Sequence, residues 1–393
     1  MRSATRNRTA AASVAVLASI AALTGCAGSA TTGSTDSSTG AEQATGVLSG
    51  LCPSTVKVQL DWEPESDYGA IFSLLGDDYT VDTASKSVTG PLVDAEGTPT
   101  GVDIEILSGG GAIGYQPVVS QLYTDPSILF GTVSTDQAMA ASEAQPVTAV
   151  AATAKNSPYV MFWDPETHPE WKGIADIGKS DATVVVDSAT ASVQWLIGKG
   201  LLNASQIDTS YEGANARFIT DPSIVLQGYA SNTPYLFENE IPEWGKPVSM
   251  ELLSDVGYGM YPSALSVRSE DVTEQAECLA AFVPLYQSSY VSYLEDPSRV
   301  NDIIVDLVDQ YDTGWTYTAG MAAFASEQFT SLGLMANEAD GSLGSFDTER
   351  LQGQLDEFAP ILDGLGTPIR DGLTVEDVAT NEFIDPSIGT PAS

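Results

Sequence analysis

Alternating hydrophobic and polar residues mark the start of the first predicted strand. Val56, Val58 and Leu60 alternate with polar residues, which is the pattern of a strand with one buried face. Pro64 ends this strand, because proline cannot donate to a strand ladder. A short helix follows, so Trp62 is predicted to lie where a strand passes into a helix. In open α/β sheets ligands bind at this edge. The alternative is that Trp62 only packs at the edge of the core.

Further strands and helices are predicted along the chain. Strands are expected at 102–107, 127–133, 147–154, 159–163 and 183–186, and helices at 117–122, 134–144, 191–199 and 273–289. The polar stretch 77–101 is interpreted as a surface excursion or a hairpin, and 225–240 as helix, turn and strand. From residue 297 onward the pattern is helical, with a break at Gly314-Trp315. A boundary is expected at Asn156-Ser157-Pro158.

Two short motifs have more than one interpretation. Gly109, Gly110 and Gly111 follow a strand and permit close backbone approach, but a phosphate loop would need a different glycine spacing and a lysine. The segment Thr124–Ile128 recurs as Thr220–Ile224, each reading Thr-Asp-Pro-Ser-Ile. Proline after aspartate favours a turn, so chance reuse is one explanation. Two lobes of related topology are the other.

The composition limits the partners that this chain can have. Its 393 residues carry 15 Lys and Arg against 53 Asp and Glu, a net charge of −38. Such a charge repels nucleic acid, so we expect no nucleic-acid partner. His168 is the single histidine, which excludes a multi-histidine metal site. We expect no metal and no cofactor, and the length indicates two or three domain-sized units.

The N-terminal residues have the composition of an export signal. Three arginines precede an apolar run over 10–23 that is too short for a permanent membrane span. The small residues before Cys26 look like a bacterial lipobox, whose cysteine becomes lipidated. An ordinary signal peptide followed by a chance cysteine is the alternative. Ser, Thr, Gly and Ala dominate 27–50, which predicts a flexible tether.

Two further cysteines, Cys52 and Cys278, remain after the leader. Outside the cytoplasm an even pair favours a disulfide. Two buried thiols are the alternative.

The order of several motifs resembles one known family. They are the lipobox, Leu60-Asp61-Trp62-x-Pro64, Phe130-Gly131 before a Ser/Thr/Asp cap, Asn239-Glu240 upstream of Gly245-x-Pro247-Val248, Gly257-Tyr258-x-x-Tyr261, and Asn381-Glu382-Phe383. Together they resemble the NMT1/THI5-like solute-binding lipoproteins of ABC importers. That group takes in thiamine-precursor pyrimidines, riboflavin, nitrate, taurine and alkanesulfonates. The likeness covers 56–385, and the stretch 77–101 departs from it as an insertion.

The resemblance implies an α/β, two-lobe periplasmic-binding-protein-like fold of type II, with a ligand cleft between lobes that two crossing strands join. The expected divisions are a signal peptide at 1–25, a tether at 26–52, lobe 1 at 53–153, lobe 2 at 154–257, and a return to lobe 1 with C-terminal helices at 258–393. The chain would be a monomer, lipid-anchored on the extracytoplasmic face of the cell membrane, with permease and ATPase subunits as partners.

The candidate ligand residues combine the predicted strand ends and helix starts with aromatic side chains. They are Trp62, Tyr68, Ser134, Thr135, Asp136, Asn156, Ser157, Ser188, Thr190, Tyr235, Glu240, Tyr258 and Tyr261. The aromatic rings could stack on a flat heterocycle, and Glu240 could accept from an exocyclic amine. The Leu-Asp-Trp motif resembles the pyrimidine and riboflavin branch, and neither Arg217 nor Arg268 lies on a predicted cleft loop.

Two alternatives stay open. One is a nitrate, taurine or alkanesulfonate carrier of the same group. The other is an enzyme, because some eukaryotic relatives make the thiamine pyrimidine with a cysteine-rich motif and active-site histidines. His168 lies in a polar loop and neither Cys52 nor Cys278 has a cysteine or histidine neighbour in sequence, so we expect a carrier with no catalytic residues.

Overall fold

The computed structural model describes residues 46–188 and 190–391. The predicted signal peptide, the lipidation of Cys26 and most of the tether lie outside the described residues. Within the described part of the chain, no helix has both the length and the hydrophobicity needed to cross a membrane.

Strands and helices alternate through the first two thirds of the described chain, and helices dominate the rest. The strands are β1 (Thr55–Gln59), β2 (Thr80–Asp82), β3 (Ser87–Val93), β4 (Pro99–Leu107), β5 (Ile128–Val133), β6 (Val147–Ala151), β7 (Tyr159–Trp163), β8 (Val184–Val185), β9 (Ile207–Asp208), β10 (Val225–Tyr229), β11 (Ser249–Leu252) and β12 (Ala264–Arg268). The α-helices are α1 (Gly69–Ser73), α2 (Val118–Thr124), α3 (Thr135–Ala141), α4 (Ile174–Ile177), α5 (Ala191–Gly198), α6 (Ala214–Thr220), α7 (Thr233–Tyr235), α8 (Asp271–Glu274), α9 (Ala276–Glu295), α10 (Ser298–Tyr311), α11 (Ala319–Ser331), α12 (Thr348–Gly364) and α13 (Val375–Val378).

Lobe 1 is built on a seven-stranded sheet in the order β2-β3-β4-β1-β5-β12-β6. β1 pairs parallel with β4 and β5, whereas β12 returns late in the chain and pairs antiparallel with β5 and β6. Every residue of β5 is buried. This fits its continuous apolar run, because a central strand covered on both faces does not alternate.

Lobe 2 is built on a five-stranded sheet in the order β11-β7-β10-β8-β9. The chain enters it through residues 152–158 and leaves it through 253–263. The predicted two-lobe α/β fold is therefore confirmed. The lobe boundaries expected at 153/154 and 257/258 fall within these two crossing segments and stay predictions.

The repeated Thr-Asp-Pro-Ser-Ile segments adopt the same local structure in the two lobes. Asp125 accepts from the Ser127 N–H at 3.0 Å, and Asp221 accepts from the Ser223 N–H at 3.2 Å. Each segment connects a helix to a strand, α2 to β5 and α6 to β10. The repeat therefore occupies equivalent helix-to-strand connections in the two lobes.

Three parts of the chain differ from the sequence interpretation or refine it. The stretch 77–101 forms the β2–β3 hairpin, which extends the lobe 1 sheet and keeps Val88 and Leu92 buried. Residues 225–240 begin with β10 and continue as helix, the reverse of the expected order. The tether was expected to reach residue 52, but Leu48 is fully buried and its N–H donates to Thr100 O.

The predicted disulfide between Cys52 and Cys278 is present. It joins the segment before β1 to helix α9, across 226 residues of sequence. Cys278 is buried in the lobe 1 core. The bridge ties the start of the folded body to a helix of the same lobe.

Candidate functional site

A cavity of about 1120 Å³ lies between the lobes. Lobe 1 contributes Asp61 and Trp62, which follow β1, and Ser134, which follows β5. Lobe 2 contributes Asp187, after β8, and Tyr229, at the end of β10. The strand ends meet here because β1 runs parallel to β5 in one sheet and β8 parallel to β10 in the other. Open α/β sheets bind ligands at this position.

A glycine-rich loop holds the backbone around Trp62. The Gly109 N–H donates to Trp62 O at 2.9 Å, and the Gly110 N–H donates to Asp61 O at 3.1 Å. Gly110 has a φ of +54° and lies against the Trp62 ring. The close backbone approach expected of these glycines is therefore made to the protein's own Trp62 segment.

Aromatic rings surround the cavity on both sides. The centroid of the Trp62 ring lies 5.9 Å from that of Trp315, edge to face, and 6.0 Å from that of Tyr115. In lobe 2 the rings of Tyr159 and Tyr229 meet edge to face with centroids 5.0 Å apart. All five line the cavity. Such rings give a flat ligand large contact areas at little cost in rotamer entropy.

Asp61 connects several elements at the base of the cavity. Its carboxylate accepts from the Tyr68 hydroxyl at 2.9 Å, from the Ser263 hydroxyl at 2.8 Å, and from the Thr132 hydroxyl. Burial raises the pKa of Asp61, while these hydrogen bonds act in the opposite direction. The carboxylate thus joins the end of β1 to β5 and to the second crossing segment.

Other carboxyl groups line the cavity, and their surroundings raise their pKa values. Burial, followed by the charges of Asp67 and Asp61, raises the pKa of Glu65 well above its usual value. Burial also raises the pKa of Asp67 to about 7, against the effect of a hydrogen bond from Ser231, and it raises the pKa of Asp187. No lysine, arginine or histidine is found among the described residues that line the cavity.

Polar contacts between the lobes bound the cavity. The Ser231 hydroxyl of lobe 2 donates to Asp67 of lobe 1 at 3.3 Å. The Thr318 hydroxyl, just before α11, donates to Glu240 of lobe 2 at 3.0 Å. The cavity is therefore closed off partly by the C-terminal helices, which pack with lobe 1.

Some of the predicted ligand residues lie in the cavity wall. They are Trp62, Tyr68, Ser134, Ser188 and Thr190. The first two come from the segment after β1, and the others lie just before α3 or α5. Each sits where a strand end meets a helix start, which is the reason the sequence pattern pointed to them.

The remaining predicted ligand residues do not line the cavity. They are Thr135, Asp136, Asn156, Ser157, Tyr235, Glu240, Tyr258 and Tyr261. Tyr258 and Tyr261 are fully buried. Tyr258 packs edge to face on Trp195, and the Tyr261 hydroxyl donates to Glu338 at 2.8 Å. These rings fill the core around the second crossing segment and present no free face to the cavity.

Polar residues of this set have partners inside the protein. Thr135 donates to Gln354 of α12 at 2.9 Å, and Asn156 donates to Gly333 O at 3.0 Å. Ser157 is fully buried. Their hydrogen bonds hold the crossing segment and α3 against the C-terminal helices.

Asp136 and Tyr235 face other elements as well. The Tyr258 hydroxyl donates to Asp136 at 3.4 Å, and Tyr235 packs against Phe324 of α11 with ring centroids 5.7 Å apart. Both side chains contribute to packing between elements.

Several cavity residues were not selected from the sequence. Asp67 belongs to the acidic run just after Trp62, so its proximity to Trp62 was a usable signal. Trp315 lies in the break between α10 and α11, and Gln227 and Tyr229 belong to β10. Nothing in the local pattern indicates that these three face a cavity, because their positions depend on how distant elements pack.

The chain was compared with known families and with solved structures. No family model matches it, and no curated protein matches it. Among solved structures, it is similar to a zinc-bound ligand-binding component of an ABC-type import system from Staphylococcus aureus. The two share 10% identity, and the match covers 84% of this chain and 97% of that chain with a TM-score of 0.53. It is also similar to the periplasmic aliphatic sulphonate binding protein SsuA from Escherichia coli, with 11% identity, 82% and 94% coverage and a TM-score of 0.52.

A third match is the periplasmic nitrate-binding protein NrtA from Synechocystis, with 10% identity, 84% and 87% coverage and a TM-score of 0.50. At this identity the likeness defines the fold. The chain therefore has the bilobed fold of the substrate-binding components of ABC importers, with its cavity between the two lobes.

Proposed function

We propose that this protein is the extracytoplasmic solute-binding component of an ABC importer and that its ligand is a planar heterocycle, such as a thiamine-precursor aminopyrimidine or riboflavin. The observation that carries the proposal is the cavity between the lobes, walled by aromatic rings from both. A ligand held in this way would bridge the lobes. The protein would then deliver it to permease and ATPase subunits.

The size of the cavity supports an organic ligand. Ligand pockets are usually about 300–1,000 Å³, and this cavity is about 1120 Å³. A nitrate ion would leave most of that volume unfilled. A positive group in the wall would favour nitrate or sulfonate binding, and the described lining residues include no lysine, arginine or histidine. These features disfavour the anion carrier considered above.

An enzymatic role has little support from the same features. Cys52 and Cys278 are joined to each other, and His168 stacks on Trp171 with ring centroids 3.6 Å apart. None of these side chains lines the cavity. We therefore propose a transport function without catalysis.

The proposal places the protein outside the cytoplasm. The disulfide is the kind of cross-link that persists in oxidising compartments, and the leader with its lipobox would supply an anchor at Cys26. We propose a monomer, tethered by lipid to the outer face of the cell membrane.

Replacing Cys26 with alanine is expected to move the protein from the membrane to the medium or to the soluble extracytoplasmic fraction. The reason is that a lipidated cysteine would be the anchor. Fractionation and immunoblotting measure the distribution. A variant that remains with the membrane would mean that another element holds the protein there.

The function itself is tested by ligand screening and by Trp62→Ala. A thermal-shift screen of aminopyrimidines, riboflavin, nitrate and sulfonates should give a rise in melting temperature with a heterocycle, because a ligand that binds only the folded state stabilises it. Stacking of a base-like ring on an aromatic side chain contributes about 1–3 kcal/mol. Calorimetry should therefore show affinity for the heterocycle falling about tenfold or more in Trp62→Ala.

Trp171→Ala is a matched control outside the cavity. Trp171 is buried and packs on Trp163 and His168, and none of these three residues lines the cavity. Its loss should therefore lower the melting temperature and leave affinity unchanged. Trp62→Ala should show the opposite pair of effects. Loss of stability without loss of affinity in Trp62→Ala would assign Trp62 to packing and would remove the basis of the proposal.

A further inference from the structure

Tyrosines aside, the titratable side chains among the described lining residues are all carboxylic acids. Asp61, Glu65 and Asp67 line it from the segment after β1, and Asp187 lines it from lobe 2. Among the described lining residues no cationic side chain offsets them. In a partly desolvated cavity, uncompensated carboxylates are costly and attract a cation strongly.

The carboxylates differ in how many hydrogen bonds they already accept. Asp61 accepts from three hydroxyl groups, so its carboxylate already holds neighbouring elements together. Asp67 accepts one long hydrogen bond, from Ser231 at 3.3 Å. The Glu65 carboxyl accepts no hydrogen bond from the described residues. Burial, followed by the charges of Asp67 and Asp61, raises its pKa well above its usual value, so a cation beside it would stabilise its ionised form. Glu65 and Asp67 therefore have acceptor capacity left for a ligand.

The aromatic wall favours the same class of ligand. A cation over the face of an aromatic ring is attracted by the ring quadrupole, and Trp62, Trp315 and Tyr229 all line the cavity. Among the described residues no group of three or more His, Cys, Asp and Glu side chains is arranged to hold a metal ion. An organic cation therefore fits better than a metal ion.

We propose that the cleft selects an organic cation: a flat molecule bearing a protonated amine or amidinium, with Glu65 and Asp67 as its counter-charges. This inference rests on the proposed function as a solute-binding protein. It adds to that function the charge of the ligand and the residues that recognise this charge.

Three probes of nearly identical shape test the charge alone. Benzamidine is a flat amidinium, benzamide is its neutral counterpart and benzoate its anionic counterpart. In calorimetry on the purified protein, we expect benzamidine to bind at least about tenfold more tightly than benzamide, since hydrogen bonds to charged groups are the stronger ones. Benzoate should not bind.

Two near-isosteric variants identify the counter-charges. Glu65→Gln and Asp67→Asn should each weaken benzamidine binding about tenfold and leave benzamide binding unchanged. Asp309→Asn is the control, because Asp309 is exposed on α10 and outside the cavity. It removes the same charge from the protein and should change neither affinity. Melting curves of all variants report whether they are folded.

The pH dependence gives a further readout. Because burial raises the pKa of Asp67 to about 7, the affinity for benzamidine should rise between pH 5 and pH 8 as this carboxyl loses its proton, and the rise should be smaller in Asp67→Asn. The amidinium keeps its charge over this range. The Ser231 hydroxyl donates to Asp67, and the charge of Asp61 acts on it. Asp67 in turn raises the pKa of the groups around it, which are Glu65, Tyr68, Tyr290, Tyr293 and Tyr317.

The inference is overturned if benzamide or benzoate binds as tightly as benzamidine, if benzamidine does not bind, or if both carboxyl variants retain full affinity for it. In that case, Trp62-dependent binding of a neutral heterocycle such as riboflavin would leave the proposed function standing. If no flat molecule binds in a Trp62-dependent way, the proposed function fails as well.

Discussion

Gly109→Ala is expected to cost about 3 kcal/mol or more of unfolding free energy and to abolish ligand binding. A Cβ on Gly109 would lie 2.6 Å from the backbone nitrogen of Trp62 and closer still to the carbonyl oxygen of Leu60. These are backbone atoms at the end of β1, so they cannot turn aside as a flexible side chain would. The loop would have to move away from the strand.

That movement would break more than one contact. The hydrogen bonds from Gly109 to Trp62 O and from Gly110 to Asp61 O would be lost together. Trp62 would lose the backbone that orients its ring, and Asp61 would lose its alignment with the hydroxyl groups it accepts from. Stability and affinity are therefore expected to fall together in this variant.

Urea denaturation and calorimetry with the cognate ligand measure the two effects. Gly198→Ala is the control, because a Cβ at Gly198, in α5, would meet no atom within 4 Å beyond its chain neighbours and the backbone of its own helix. Alanine favours helix over glycine, so this control should be neutral or slightly stabilising. A Gly109→Ala protein with wild-type stability and affinity would mean that the glycine loop does not hold Trp62.

The second large effect is expected from removal of the disulfide in a Cys52→Ser, Cys278→Ser double variant. A cross-link over 226 residues restricts the unfolded chain, and the chain-entropy account gives a stabilisation of about 5 kcal/mol for a loop of this length. Affinity for the ligand should stay close to wild type, since neither cysteine lines the cavity.

Unfolding curves with and without a reducing agent check this expectation. Reductant should lower the stability of the wild-type protein toward that of the double variant and should have no effect on the variant itself. Equal stabilities of wild type and variant under oxidising conditions would contradict the assigned role of the bridge. A large loss of affinity at unchanged stability would mean instead that the disulfide maintains the shape of the cleft.

The sequence alone determined the features that depend on local pattern. Period-2 alternation located β1 at Val56 and Val58, and the β-branched run at Thr183–Val186 contained β8. The paired cysteines predicted the bridge, and the repeated Asp-Pro-Ser turns agreed with two related lobes. Such signals are readable because the strand period, the proline constraint and the cysteine count act within a few residues.

At 225–240 the local pattern was insufficient. The segment mixes apolar and aromatic residues with polar ones and has no clear period, so it does not distinguish a strand from a helix, and the expected order was reversed. Only pairing of β10 with β7 and β8 decides that the strand comes first. Tertiary context overrides propensity in such runs.

The tertiary structure alone decided which aromatic and acidic side chains face the cleft. Tyr258 and Tyr261 were expected there but are fully buried, whereas Trp315 reaches the cavity from a break between helices some 250 residues after Trp62. An aromatic side chain is stabilised by burial in the core and by contact in a cleft for the same physical reason, the removal of apolar surface from water. Composition therefore cannot separate the two environments. The packing of the C-terminal segments separates them, because Phe358 of α12 covers Tyr258 while Trp315 is placed in the cavity wall.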